Sequence, residues 1–174
     1  MLQVFLPCFQ KLFKITSLED VKYRLYGFKQ NVVVGKKVPN FSFFSTKLNK
    51  TNLTELDGKY KLLVFWASWC VPCIAEIPIL DSLEKIYSSI GLKIYPVNID
   101  NEKSAWEKSI AKYNFSCTHL SQLSGNKSPI FKYFAFSSIP NAILLDVDNK
   151  LLLYGPEIKK YFDLLEKLKK QNNP

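Results

Sequence analysis

Of the 24 basic residues in this chain of 174, only Arg24 is an arginine. Nucleic-acid sites draw on clustered arginines and aromatics on one face. Here the lysines are scattered, so the formal net charge of +9 reads as a soluble, lysine-rich surface. A basic face that attracts acidic partners is the alternative. No apolar run approaches the roughly 20 residues that a membrane-spanning helix requires, so no membrane span is expected. The start of the chain, Met1 to Phe9, is apolar but short. It has neither a basic leading region nor a small-residue cleavage site, and so fails as a secretory signal. Cys8 has no small residues before it to suggest a lipid-anchor box. These absences leave a protein that is not exported, or a mature or truncated form. Internal repeats and low-complexity linkers are also missing. Four cysteines (Cys8, Cys70, Cys73 and Cys117) are too few for a disulfide scaffold at this length.

Apolar residues make up 47% of the chain and aromatics 14%, enough for one packed domain and too many for a disordered chain. Residues 1–34 read as an amino-terminal extension. Ser17 caps a short helix from Leu18 to Tyr26 within it, and Gly27 ends that helix. From Gly35 the pattern is firmer. A short strand is expected at Phe41–Phe44, followed by a polar loop or turn over Leu48–Gly58. Further strands are expected at Lys61–Ala67, Lys93–Asn98 and Ala142–Val147. The last pairs with Lys150–Tyr154 in a hairpin through Asp148-Asn149, where asparagine tolerates positive φ. Helices are expected at Cys70–Ile90, Glu102–Tyr113 and Glu157–Lys170, the last burying Ile158, Tyr161, Phe162, Leu165 and Leu168. A shorter helix starts with Ser128 as cap and Pro129 at its first position. This order implies an α/β fold, a central mixed β-sheet flanked by helices on both faces.

The most informative stretch is Trp69-Cys70-Val71-Pro72-Cys73. It follows a buried-strand run, Leu62–Trp66, and precedes helical spacing at Ile74, Ile77, Leu80, Leu83, Ile86, Tyr87 and Ile90. A cysteine at that helix tip meets unpaired N–H groups and the positive end of the helix dipole, which favour the thiolate. Residues i and i+3 of a helical turn stand about 5–6 Å apart at Cβ, within small adjustment of disulfide geometry. Cys70 is therefore expected to be the partly exposed nucleophile. Cys73, one turn in and more buried, is expected to be the resolving thiol. Val71 offers the thiolate no charge or hydrogen bond, which points to a mainly reducing pair. Glu76, one turn beyond Cys73, is by spacing alone a solvated helix carboxylate. Pro78 denies Ile74 its usual hydrogen bond and kinks the helix.

These segments resemble the thioredoxin superfamily and, within it, the TlpA/ResA-type thiol–disulfide oxidoreductases. The resemblance spans Gly35 to the carboxy terminus, a thioredoxin-like three-layer domain at 35–174. It rests on Gly35-Lys36-Lys37-Val38-Pro39-Asn40-Phe41 and on the string from Phe65 to Pro78 that contains Trp-Cys-x-Pro-Cys-x-x-Glu-x-Pro. Ser128-Pro129, Ser138-Ile139-Pro140-Asn141 and Leu144-Leu145-Asp146 add to it. It implies that Glu76 is a functional acid serving as a proton relay. It also implies that Pro140 is cis and faces the cysteines, and that the backbone of Ile139 pairs with an extended substrate. Trp66 is expected in the core and Trp69 on the exposed rim. Thioredoxins proper carry a buried aspartate where this chain has Val64, which leaves Glu76 as the acid.

The resemblance implies dithiol–disulfide exchange with a protein disulfide substrate and an upstream thiol electron donor. It calls for no organic cofactor or metal, since the cysteine pair stores the electrons. The expected location is the bacterial periplasm or cell envelope, with the cytoplasm as the alternative. Three other readings compete. Cys70, Cys73, Cys117 and His119 make a nominal zinc set, although Cys117-Thr118-His119 is tightly spaced. Cys117 reads more simply as a small buried or lone thiol, and His119 as a loop residue. A peroxiredoxin-like peroxidase needs Thr-x-x-Cys and an activating arginine, whereas residue 67 is alanine and Arg24 lies outside the fold. A non-catalytic binding module has no need of an intact cysteine pair.

Overall fold

The computed structural model describes residues 32–113 and 117–172. The extension up to residue 31, and with it the expected helix at Leu18–Tyr26, lies outside the described residues. In chain order the elements are β1 (Ser42–Ser45), β2 (Lys50–Asn52), β3 (Tyr60–Trp66), α1 (Val71–Ile86), β4 (Leu92–Asn98) and α2 (Lys103–Tyr113). They continue with β5 (Leu120–Ser121), α3 (Pro129–Tyr133), β6 (Asn141–Asp146), β7 (Leu151–Gly155) and α4 (Ile158–Asn172). The strands form one mixed sheet in the order β2-β1-β5-β4-β3-β6-β7.

β3 is buried along its whole length. It runs parallel to β4 and antiparallel to β6, and a strand covered on both faces reads as a continuous apolar run. Its side chains alternate between two cores. Leu63 and Phe65 face a layer with Trp106 of α2 and Ile130 and Phe131 of α3. Leu62 and Val64 face Leu80 and Leu83 of α1 and Tyr161 and Leu165 of α4. The parallel β3–β4 and β4–β5 pairs need crossover connections, supplied by α1 and α2. The result is the expected α/β arrangement with helices on both faces.

Several local expectations shift. The segment expected to be a polar loop at 48–58 contains β2 and a single 3₁₀ turn, Leu53–Glu55. β2 is an edge strand that pairs only with β1, so it lacks apolar alternation. The turn after it is held by Asn52 N–H and Nδ2 donating to the Glu55 carboxylate at 3.1 and 2.7 Å. β5 has no counterpart among the expected strands; two residues carry no periodicity. The helix expected to reach Ile90 stops at Ile86, and Ser88–Ile90 forms a 3₁₀ turn closed by Gly91 at φ 77°. Ile86 is consequently 51% exposed rather than buried. In α4, Tyr161 and Leu165 are buried, while Ile158, Phe162 and Leu168 are only half-buried. The hairpin turn has Asn149 at φ 61°. Its side-chain oxygen accepts a 2.6 Å hydrogen bond from Nζ of Lys61, a fully buried lysine in β3 whose pKa is lowered by burial.

The buried Tyr161 hydroxyl lies 2.5 Å from the carbonyl oxygen of Ala142 and 2.9 Å from that of Gly155, tying α4 to β6 and β7. Tyr161→Phe leaves those carbonyls without that donor. It is expected to lower stability by about 1–3 kcal/mol, read as a fall in the urea midpoint at unchanged m-value.

Candidate active site

β3 ends at Trp66, and the turn Ala67–Trp69 delivers Cys70 to the N-cap of α1. The Cys70 N–H donates to the Ala67 carbonyl at 3.0 Å, closing that turn. Pro72 stands in the first turn of the helix, where a missing N–H costs nothing. Cys70 and Cys73 are joined by a disulfide, with Cα atoms 5.3 Å apart. The Cys73 N–H points at the Cys70 sulfur, at 3.2 Å.

The expected difference in exposure between the two cysteines is absent. Each is 4% exposed. The Cys70 sulfur is bonded to Cys73 and faces the Cys73 N–H, and both cysteines belong to the buried core cluster. The exposed edge belongs to its neighbours, Trp69 at 67% and Val71 at 76%. Trp66 is buried in the core.

The turn is held from the next strand. The Asp100 carboxylate, just past β4 and buried, accepts from Ser68 N–H at 3.0 Å and from Ser68 Oγ at 3.0 Å. Asn98 Nδ2 donates to the same carboxylate at 2.8 Å, and Asp100 N–H donates to Asn98 Oδ1 at 2.8 Å. Ile99 N–H donates to the Trp66 carbonyl at 2.9 Å. Sequence reasoning missed Asp100. The signal available was an acidic residue just beyond the carboxyl end of a parallel strand, the edge where α/β sites gather.

Glu76 is half-buried, and desolvation raises its carboxyl pKa above the ordinary 4.5. With Val64, Pro140 and Tyr161 it lines a cavity of about 10 Å³. The Ile139–Pro140 peptide is cis. Ile139 packs against the core cluster that contains both cysteines. Together with Trp69, Ile99 and Phe131 it lines a groove of about 340 Å³. Thus Trp69 and Ile139 share one groove, and Glu76 and Pro140 share one cavity.

Cys117 and His119 stand apart from this arrangement. The half-buried Cys117 donates its S–H to Asp81 Oδ1 at 3.3 Å. Burial and the Asp81 and Glu84 carboxylates push its pKa up, so it stays a thiol. His119, expected as a polar loop residue, lies outside helix and strand but is buried, with its ring edge against Trp66 at 6.1 Å between centroids. Burial lowers its pKa to about 4, so it is neutral at pH 7. Among the described residues no group of three or more His, Cys, Asp or Glu is arranged to hold a metal.

A cysteine pair opening the helix after a central strand, with a cis-proline ahead of the neighbouring antiparallel strand, defines a thioredoxin-like protein. The family model described as Redoxin matches residues 33–158. The chain belongs to that family, as a TlpA/ResA-type member of the thioredoxin superfamily. It is 28% identical over 149 residues to the thiol-disulfide oxidoreductase ResA of Bacillus cereus, covering 82% of this chain and 84% of that protein. Among solved structures, a thiol-disulfide oxidoreductase from Bacteroides fragilis is similar with a TM-score of 0.69 at 28% identity, covering 76% of this chain and 99% of that one. A putative thiol:disulfide interchange protein DsbE from Chlorobium tepidum is similar with a TM-score of 0.67 at 25% identity, covering 81% and 98%.

Asp100→Ala removes the acceptor from the donors of the half-buried Ser68 and the buried Asn98. It is expected to cost about 2–3 kcal/mol, whereas Ser68→Ala, which keeps the backbone bond, costs about 1 kcal/mol. Chemical denaturation of the two variants measures both.

Proposed function

We propose that this protein reduces protein disulfides through the Cys70–Cys73 pair. The observation that carries the reading is the Cys73 N–H aimed at the Cys70 sulfur at the N-cap of α1. After reduction, that donor and the helix dipole favour a thiolate at Cys70. The Cys70 thiolate attacks one sulfur of the substrate disulfide, and the other sulfur leaves as a thiolate and takes up a proton. Cys73, deprotonated, then attacks Cys70 Sγ. The mixed disulfide breaks, the second substrate thiol is released, and the Cys70–Cys73 disulfide forms. Two electrons have passed to the substrate, and an upstream thiol donor restores them to the pair.

Glu76 accepts the Cys73 proton and returns it. Its half-buried carboxyl holds a proton to higher pH than an exposed one, which brings it closer to the working range of a general base. Trp69, Ile139 and Pro140 receive the substrate backbone. Ile139 makes no backbone hydrogen bond among the described residues, which suits pairing with an extended peptide. Residues 35–174 form the catalytic unit of this proposal, with 1–34 as an extension. Among the described residues no helix is long and apolar enough to cross a membrane. Disulfide exchange on protein substrates suits an oxidising compartment, and the proposed location is the bacterial periplasm or cell envelope.

Cys70→Ser is expected to abolish reduction of an insulin disulfide. Cys73→Ser is expected to accumulate mixed disulfides that appear on non-reducing gels and dissolve with dithiothreitol. Full activity in the Cys70 variant would remove the assignment. The reduction potential is expected below about −180 mV, the disulfide-isomerase value. Ionisation of Glu76 should give the rate of the resolving step an acidic limb above pH 4.5, with the rate rising as the carboxylate forms. Glu76→Gln removes that limb, and an unchanged pH profile would reduce Glu76 to a surface residue.

A further inference from the structure

Lysines that are far apart in sequence are gathered by the fold at the end of the sheet opposite the cysteine pair. Tyr60 is in register with Leu92 on one side and Asp146 on the other. The starts of β3 and β4 and the end of β6 therefore lie at one level. Trp66 and Asn98, beside the active-site turn, mark the other level, and β3 spans about 20 Å between the two. The ends of α1 and α4 meet at the Tyr60 level. Lys59 donates to the Asn172 side chain at the end of α4. The Tyr87 hydroxyl, at the end of α1, donates to Glu166 at 2.6 Å, and Lys169 lies over the Tyr87 ring. Lys59, Lys85, Lys93, Lys167 and Lys170 are exposed at this pole. Of the acids among them, Asp57 is exposed, Glu84 accepts from Lys93 and from the Ile94 N–H, and Glu166 is held by Tyr87.

Cations are favoured at helix C-termini, which accounts for Lys85, Lys169 and Lys170. It does not account for Lys59 and Lys93, which flank strands, nor for the aliphatic side chains bare at the same end. Ile86 is 51% exposed next to Lys85, and Val147, in the hairpin turn after Asp146, is 62% exposed. An anionic bilayer surface accepts both kinds of group. Lysine stems lie along its apolar boundary with their ammonium groups among the phosphates, and aliphatic tips enter the boundary itself. Nucleic acids and phosphorylated peptides are read by the planar fork of arginine, and no arginine occurs among the described residues. We propose that this basic pole rests on an anionic bilayer surface. Its lysines meet headgroup phosphates, Ile86 and Val147 enter the interface, and the cysteine pair is held away from the lipid, open to protein partners.

The test is co-sedimentation of the full-length chain with vesicles of phosphatidylcholine alone or of an equal mixture with phosphatidylglycerol. At low ionic strength, partition into the mixed vesicles is expected to be at least about tenfold the greater. It is expected to collapse at about 1 M salt, where charges are screened within about 3 Å. Two triple variants then lower the net charge equally. Lys59→Gln with Lys85→Gln and Lys170→Gln, at the pole, is expected to cut partition at least about fivefold. Lys108→Gln with Lys127→Gln and Lys132→Gln, away from it, is expected to stay within about twofold of the parent. Ile86→Ser with Val147→Ser is expected to lower partition several-fold with every charge kept. Pre-reduced protein is expected to react with the small disulfide dithiodipyridine at the same rate free and on vesicles. Equal partition into both vesicles, an unmoved pole variant, or equal losses in the two triples would overturn the pole as the contact. Binding of heparin with the same lysine dependence, without binding of the mixed vesicles, would overturn the lipid as partner. Slowed dithiodipyridine reaction on vesicles alone would overturn the orientation.

Discussion

The Asp100 carboxylate reaches from the end of β4 to the turn that follows β3, and the site is organised by that reach. Two parallel neighbours finish at the same level because Trp66 and Asn98 are partners in register. The backbone bond from Ile99 to Trp66 carries the pairing one residue further. Asp100 then takes both polar groups of Ser68, so the turn has little freedom left by the time it reaches Cys70. These bonds are part-buried, where competition from water is reduced. The position of Cys70 is thus set by a strand pair and a carboxylate outside the Cys-x-x-Cys motif.

A second constraint comes from the helix that starts there. Cys70 caps α1, so its sulfur takes the orphan N–H of Cys73. The same contact that supports a thiolate also draws the side chain inward and leaves both cysteines shielded when bonded. What faces solvent is apolar, Trp69 and Val71. Trp69 and Ile139 line one groove beside the pair.

Features set by near neighbours along the chain are legible from the amino-acid order. The apolar run of β3, the spacing of α1, the Ser128-Pro129 helix start and the asparagine turn between β6 and β7 each depend on contacts within a few residues. The Ser128 hydroxyl accepts from the Phe131 N–H as a cap should, and Asn149 adopts the positive φ that its side chain tolerates. β2 and β5 are not legible in this way. They are three and two residues long, with no apolar rhythm of their own, and exist because β1 and β4 offer edges to pair with. Lys61 on its own marks the start of a strand and nothing more. Only the fold brings Asn149 to its ammonium, 88 residues away in sequence.

The sequence by itself determined that two cysteines one helical turn apart follow a buried strand, because adjacent residues impose that spacing wherever the helix forms. It also determined the mixed sheet between helices, because periodicity and element order admit few topologies. Tertiary structure alone decided that Asp100 holds the turn before Cys70, that His119 is buried and neutral against Trp66, and that Cys70 is as shielded as Cys73. The reason is the same in each case: burial and long-range hydrogen bonds depend on which strands become neighbours, and that relation has no signature in any short stretch of chain.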